Sequence, residues 1–133
     1  DETCHYKNMN FIKRRKILKN INTMHLVPVR TMGHEEKDYN VIIRVPKFSS
    51  TFLNNLFPKT KQMFYRIKLD QLGTATWKII DGELTVQEIA DRLRKLDSLN
   101  DKDLAELEDR LAKYMSELYD RRYITFRQLI EEE

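Results

Sequence analysis

This chain is poor in the residues from which most catalytic and metal-binding sites are built. Its 133 residues include one cysteine, three glycines and three histidines. The single Cys4 excludes an intrachain disulfide, which fits a reducing cytoplasm. Gly33, Gly73 and Gly82 are too far apart for a phosphate-binding loop, and the histidines do not fall at metal-ligand spacings. We therefore expect no enzyme, no metal and no cofactor.

Long apolar runs are also missing. No run approaches the ~20 residues that span a bilayer, and no apolar core of a secretory signal follows the basic N-terminal region. We expect a cytoplasmic protein without a transmembrane segment. The length is typical of one domain. With 41% hydrophobic and 34% charged residues, the chain can bury a modest core under a polar surface.

Charge is distributed unevenly along the chain. Residues 1–80 hold 15 Lys and Arg against 6 Asp and Glu, a balance of +9, whereas residues 81–133 hold 9 against 15, a balance of −6. This asymmetry indicates either an acidic partner for the basic half or an ordinary solvated surface. Residues 1–24 contain a basic run with flanking apolar side chains. They predict either a mobile arm or an amphipathic helix that touches a membrane, nucleic acid or a partner.

The stretch 69–90 predicts two helices joined by a tight turn. Asp70 is a suitable N-cap for the first helix. Gly82 ends that helix, because glycine takes the left-handed conformation most easily. Thr85 and Glu88 have the spacing of a capping box, in which each side chain bonds the backbone N–H of the other residue. The apolar stripes of the two helices are Leu72, Thr76, Ile79, Ile80, and then Val86, Ile89, Ala90, Leu93, Leu96.

A third helix is predicted over 101–122, and it covers the other two. Its apolar arc is Leu104, Leu107, Leu111, Tyr114, Met115, Leu118. Trp77 lies close to the buried face of the first helix, so a core position is favoured over stacking on a base or ligand. The residue pattern of 123–126 is compatible with a closing strand. Residues 128–133 are predicted to form an acidic tail.

Three strands are predicted before the helices. They cover 26–30, 39–45 and 62–69, with 34–38 as a polar turn between the first two. In the third strand, one alternating set faces the helices: Met63, Tyr65, Ile67, Leu69. The other set faces outward: Phe64, Arg66, Lys68. An insertion at 47–61 is rich in apolar residues, which indicates either a helical turn folded back on the core or an exposed docking patch.

One motif carries a resemblance to a known family. The pattern is Leu69-Asp70-x-x-Gly73-x-x-x-Trp77-x-x-Ile80-Asp81-Gly82-x-x-Thr85-Val86-x-Glu88-Ile89-Ala90. It resembles the PqqD-like family, named after protein D of pyrroloquinoline quinone biosynthesis, whose module recognises leader peptides of modified ribosomal peptides. The resemblance implies an α+β, winged-helix-like fold over 25–127, with a three-stranded antiparallel sheet packed on a three-helix unit.

The resemblance also implies a function. The chain would be a non-catalytic peptide-binding adaptor, or peptide chaperone, which presents a precursor leader peptide to a radical S-adenosylmethionine enzyme. By the family's sheet order, strand 62–69 lies at an edge and can accept a further strand beside the third helix. The expected peptide-binding residues are Phe64, Arg66, Lys68, Leu107, Arg110, Tyr114, Arg121. A homodimer is left open.

Two other functions remain open at this point. A winged-helix nucleic-acid-binding regulator would place a basic helix in the major groove. The third helix instead begins with several acidic residues, which repel phosphates, so we expect no sequence-specific nucleic acid. A structural or regulatory subunit without a peptide ligand is the third alternative.

Overall fold

The computed structural model describes residues 9–47, 64–96 and 101–130 of the protein. These ranges form an α+β structure with two antiparallel sheets. The elements in chain order are α1 (Phe11–Asn20), β1 (Pro28–Arg30), β2 (Gly33–Lys37), β3 (Asn40–Pro46), β4 (Phe64–Lys68), α2 (Gln71–Ile79), α3 (Val86–Arg94), α4 (Asp101–Ala105), α5 (Leu107–Asp120) and β5 (Ile124–Phe126). Short 3-10 helices occur at Thr23–His25 and Arg127–Leu129.

The main sheet has three antiparallel strands in the order β2-β3-β4. The prediction of such a sheet is confirmed, but its first strand is not the predicted one. Residues 34–38 were expected to be a turn, whereas most of them form β2, and the turn is Asp38–Tyr39 with φ of 53° and 69°. Positive φ at both central residues suits a two-residue hairpin turn. The charged β2 has little strand character in its sequence and is held by cross-strand pairing with β3.

A second, two-stranded sheet joins β1 to β5, with Pro28 opposite Phe126. The predicted closing strand at 123–126 is therefore confirmed in β5, which covers Ile124–Phe126. The predicted first strand, 26–30, shortens to β1 and pairs with this C-terminal strand instead of the main sheet. Because the partner of β1 lies far along the chain, local pattern did not indicate the pairing.

The helix ends follow the local signals in the sequence. Asp70 caps α2 by accepting the Gly73 N–H at 2.7 Å, and Gly82 follows the helix with φ of +80°. The capping box of α3 is complete: Thr85 Oγ1 accepts the Glu88 N–H at 3.1 Å, and Glu88 Oε1 accepts the Thr85 N–H at 3.0 Å. The cap at Asp70 and the capping box are confirmed, because capping depends on residues within one turn of each other. Gly82 forms the predicted turn, but α2 already ends at Ile79, where the extended backbone of Ile80 terminates it.

The predicted third helix is divided into α4 and α5 at Glu106. The backbone of Glu106 has φ of −120° and ψ of 27°, outside the helical region, and no side chain caps the new helix start. Ala105 and Glu106 are good helix formers, so propensity alone predicts an unbroken helix. Tertiary packing overrides that propensity, since Leu104 and Leu107 both pack into the core on either side of the break.

The core lies where the main sheet, α2, α3 and α5 meet. Its largest fully buried side chain is Trp77, as predicted. Leu96, assigned to the buried stripe of α3, is exposed because α3 ends at Arg94. The fully buried residues also include Val41, Ile43, Thr76, Ile80, Val86, Ile89, Ala90, Leu93, Leu111, Met115, Leu129.

The two ends of the described chain pack against this core, which corrects two predicted boundaries. Residues 1–24 were expected to be either a mobile arm or an amphipathic helix. Within the described part of this segment, residues 9–24, α1 is a helix, and Ile17, Leu18 and Ile21 pack against the core. The acidic tail was expected from residue 128, but Leu129 is fully buried and its carbonyl accepts the Met9 N–H at 2.9 Å. Both segments contain apolar residues, but the core residues that they contact are distant in sequence. Local composition therefore indicated free ends. The predicted insertion at 47–61 lies outside the described residues except for Lys47.

Candidate peptide-binding edge

Strand β4 lies at one edge of the main sheet, as the family resemblance implied. It pairs with β3 on one side, with Arg66 opposite Arg44. Among the residues that the structure describes, no strand pairs with its other side. A strand edge of this kind presents backbone N–H and C=O groups that a further strand can bond.

The hydrogen-bond pattern identifies which backbone groups face this edge. The Leu69 N–H donates to the Val41 carbonyl at 2.9 Å. Directly opposed residues of an antiparallel pair alternate between hydrogen-bonded and non-hydrogen-bonded positions. Ile67 and Tyr65 therefore direct their backbone groups toward β3. The backbone groups of the alternate residues point to the open edge: Phe64, Arg66, Lys68.

The side chains of β4 separate onto two faces of the sheet. Ile67 is opposite Ile43, which is fully buried, so this face of β4 is the one turned to the core. Arg66 and Lys68 are exposed on the other face, and Phe64 is 37% exposed. The three predicted β4 site residues thus lie together on one strand, and all three are exposed.

Tyr65 is a surface residue that the sequence reasoning missed. Alternation assigned it to the inner face, yet 55% of it is exposed. It is opposite Val45, which is itself only partly buried near the end of β3. The Lys47 Nζ lies 5.2 Å from the centroid of the Tyr65 ring, within the range of a cation–π contact. The exposure of Tyr65 follows from its pairing with Val45 near the end of β3. This pairing is known only from the strand register, which the sequence pattern does not give.

The charges around β4 are only partly neutralised. Arg66 forms an ion pair with Glu35 of β2 at 3.0 Å, and the two side chains are both substantially exposed. Such surface pairs contribute ~0–1 kcal/mol because water screens them. An incoming carboxylate can compete for Arg66 at small cost. Lys68 and Lys47 add positive charge along the same strand edge.

Tyr114 reaches the segment that follows β4, but it does not line an open pocket. Its hydroxyl lies 3.0 Å from the position that a Cβ would take on Gly73, in the first turn of α2. The hydroxyl is buried without a hydrogen-bond partner in the described part of the chain. Burial, followed by the charges of Asp70 and Glu117, raises the pKa of Tyr114 above its usual range. The predicted apolar pocket at Tyr114 is therefore filled by its own packing.

The other predicted helix residues have different environments. Leu107 is buried in the core and belongs to the same stripe as Leu111, so it offers no pocket, and its assignment to the site was wrong. Arg110 is partly buried on α5, and Arg121 is exposed just after α5 ends. Of these four residues, Tyr114 is the one shown to contact α2, at Gly73.

Metal clusters and membrane-spanning helices do not occur among the described residues. Within 9–47, 64–96 and 101–130, no three His, Cys, Asp or Glu residues are grouped so that they could hold a metal ion. None of the helices in those ranges has the length and apolar character needed to cross a membrane. Comparisons of the chain with family models, curated proteins and solved structures find no match. The candidate site therefore depends on the geometry of β4.

Proposed function

We propose that this chain is a non-catalytic adaptor that binds a peptide as an additional strand on β4. The observation that carries the proposal is the open edge of β4, where three residues direct their backbone groups away from the sheet. Strand addition of this kind draws affinity from main-chain hydrogen bonds and specificity from alternate side chains. It needs no catalytic residue.

The two faces of β4 define the peptide that fits best. An added strand places alternate side chains beside Ile67 and Tyr65 on one face, and beside Arg66 and Lys68 on the other. Cross-strand neighbours contribute most when apolar residues meet aromatic or branched ones and when opposite charges meet. A peptide that alternates apolar and acidic residues satisfies both faces.

The leader of a ribosomally made precursor peptide is our proposed ligand, with a modifying enzyme of the radical S-adenosylmethionine type as partner. Support for this narrower identity is the motif over 69–90, which resembles the PqqD-like family. Its local geometry supports the same winged-helix assignment, with the cap at Asp70, the turn at Gly82 and the capping box at Thr85. The adaptor would hold the leader on β4 and leave the remainder of the peptide free for the enzyme.

The opposite edge of the same sheet is less suited to a peptide. Strand β2 carries charged side chains that are already engaged: Glu36 pairs with Lys78 at 3.3 Å, and Glu35 pairs with Arg66. Glu35 and Glu36 would also place like charges beside the acidic residues of such a peptide, which is destabilising. Of the two edges, β4 therefore supports the proposal better.

A nucleic-acid-binding function has weaker support from the helices. Arg94 on α3 donates to Asp91 and Glu108, so its charge is already neutralised. The hydrogen bond from Arg94 lowers the pKa of Glu108, which keeps this carboxylate negative. Exposed acidic residues at the start of α5 repel phosphate groups. We expect duplex DNA to bind weakly and without sequence preference.

A pair of substitutions at Arg66 tests strand addition. Peptides are first selected from a displayed random library on the wild-type protein, and affinities of the selected sequences are then measured by calorimetry. Arg66→Pro removes an N–H that faces the open edge and leaves the bonds to β3 in place. Arg66→Ala removes only the side chain and its ion pair.

We expect Arg66→Pro to lower the affinity of the selected peptides by about threefold to tenfold, in line with the loss of one main-chain hydrogen bond. Arg66→Ala should have the smaller effect, because exposed ion pairs contribute little. Circular dichroism verifies that both variants fold. Equal affinities for wild type and Arg66→Pro would contradict binding through the β4 ladder.

A further inference from the structure

Helix α1 turns an unusual combination of side chains to solvent. Its first two residues are bulky and apolar, yet Phe11 is 63% and Ile12 is 78% exposed. No acidic residue occurs in the helix, and its sequence, FIKRRKILKN, contains five cations. Large apolar side chains that remain this exposed indicate a contact surface when they occur beside one another.

The arrangement of these residues follows the helix period. Ile12 shares one stripe of α1 with Arg15, Lys16 and Lys19, at spacings of three, four and seven residues. All four are exposed. The Arg15 guanidinium lies 5.9 Å from the centroid of the Phe11 ring, one turn away. The outward face of α1 is therefore apolar at its start and cationic along the rest of its length.

The opposite side of α1 is fixed to the body of the protein. Ile17, Leu18 and Ile21 pack against the core, and an Arg14 Nη atom donates to the Tyr119 hydroxyl at 3.4 Å. Asn10 caps the helix by accepting the Lys13 N–H at 2.9 Å. These contacts hold the cationic stripe outward before any partner arrives, so little conformational freedom is lost on docking.

We propose that the outward face of α1 docks the protein on an anionic lipid surface. Exposed cations complement the headgroups of anionic lipids, and the adjoining Phe11 and Ile12 enter the boundary between headgroups and acyl chains. Nucleic acid offers phosphates for the same cations, but it leaves both apolar side chains in water. The exposure of these two side chains is what favours lipid over nucleic acid.

This docking is separate from peptide binding at β4 and does not depend on it. The α1 face involves Phe11, Ile12, Arg15, Lys16 and Lys19, none of which belongs to the candidate peptide site. The protein would bind lipid peripherally, with the helix lying on the surface. A lipid-bound adaptor would present its peptide at the membrane, which confines the modification reaction to that surface.

Vesicle co-sedimentation of the full chain tests the proposal. One set of vesicles mixes phosphatidylcholine with phosphatidylglycerol, and the other contains phosphatidylcholine alone. A fluorescently labelled duplex RNA serves as the non-lipid polyanion. Two double variants probe the two parts of the face: Phe11→Ser with Ile12→Ser, and Lys16→Glu with Lys19→Glu. The matched control reverses two exposed lysines elsewhere, Lys95→Glu with Lys113→Glu.

The wild type should partition onto the anionic vesicles and not onto the neutral ones. Each α1 double variant should reduce partitioning by about tenfold or more, whereas the control should retain most of it. The altered side chains are exposed, so thermal unfolding should remain close to wild type. Absence of partitioning would overturn the proposal. So would binding to RNA and anionic vesicles that is insensitive to the serine substitutions, because that result indicates a polyanion site without lipid contact.

Discussion

Strands β4 and β5 are both short strands that carry aromatic residues, yet they have opposite environments. Phe126 in β5 is 2% exposed, whereas Phe64 in β4 is 37% exposed. The Phe126 ring stacks on Tyr119 of α5, with centroids 5.3 Å apart. All three residues of β5 are buried, while four of the five residues of β4 are exposed.

The difference shows that strand sequence alone does not separate a buried, stabilising strand from an exposed edge strand. Strand β5 is covered by α5 and completes the core, so its aromatic residue contributes to folding. Strand β4 is covered on its inner face, and within the described ranges it pairs with a strand on one side only. Its exposed aromatic and basic side chains contribute little to stability and remain available for a ligand.

The largest expected effect comes from truncating the covered aromatic residue. Phe126→Ala should lower the free energy of unfolding by ~3–5 kcal/mol, because it removes a fully packed ring and leaves a cavity. This is a large part of the stability of a small domain. Urea denaturation followed by circular dichroism measures the loss.

Phe64→Ala is the matched control for that substitution. The same change in β4 should cost less than about 1 kcal/mol, because the ring is already partly in water and surface substitutions have small effects. If the two variants lost similar stability, the contrast between a covered and an open strand would be wrong.

A smaller effect is expected at Gly73, where the first turn of α2 meets Tyr114 of α5. A Cβ there would lie 3.0 Å from both the Asp70 Oδ1 and the Tyr114 hydroxyl. Overpacking of this kind costs ~1–3 kcal/mol, against a gain of ~0.5–1 kcal/mol from replacing a helical glycine. Gly73→Ala should therefore destabilise the protein by about 1 kcal/mol, as measured by urea denaturation.

Combining Gly73→Ala with Tyr114→Phe sharpens the same test. Removal of the hydroxyl relieves one of the two close contacts, so the double variant should recover part of the lost stability. Strict additivity of the two substitutions would show that Gly73 and Tyr114 do not contact each other as described.

The effect expected of Tyr114→Phe alone at neutral pH is also small and has the opposite sign. The hydroxyl is buried without a partner in the described residues, so its removal should raise the free energy of unfolding by about 1 kcal/mol, because an unsatisfied buried group destabilises the folded state. Burial raises the folded-state pKa of Tyr114. The resulting stability is fully present below the unfolded pKa of about 10 and is lost as pH rises above it.

Alkaline titration of both proteins isolates this contribution. Wild type should lose stability relative to Tyr114→Phe above about pH 10, where the unfolded chain ionises Tyr114 and the folded chain does not. The other tyrosines are present in both proteins, so their contributions to the pH dependence of stability cancel in the comparison. Parallel pH profiles would contradict the burial of this hydroxyl.

The parts of the fold that follow from short-range chemistry could be predicted from the sequence. The cap at Asp70, the turn at Gly82 and the capping box at Thr85 depend on neighbours within one helical turn. Strand β2 could not be predicted, because its charged residues become a strand only through pairing with β3. The docking of α1 and of Leu129 also depends on distant partners.

The candidate site likewise contains residues whose environment could be predicted from the sequence and residues whose environment could not. Alternation predicts that Phe64, Arg66 and Lys68 share one face of β4, and the register gives their backbone direction. The environments of Leu107 and Tyr114 could not be predicted, because helix periodicity places both at the border of an apolar arc. Only the tertiary structure shows that Leu107 is in the core and that the Tyr114 hydroxyl lies against Gly73.

Amide hydrogen exchange along β4 tests the central claim most directly. The protein is measured by NMR alone and with a peptide selected from the displayed library. The amides of Tyr65 and Ile67 face β3 and should be little changed. The amides that face the open edge should become protected when the peptide binds: Phe64, Arg66, Lys68. This alternating pattern is what strand addition predicts. A bound peptide that leaves these three amides exchanging as fast as in the free protein would contradict it.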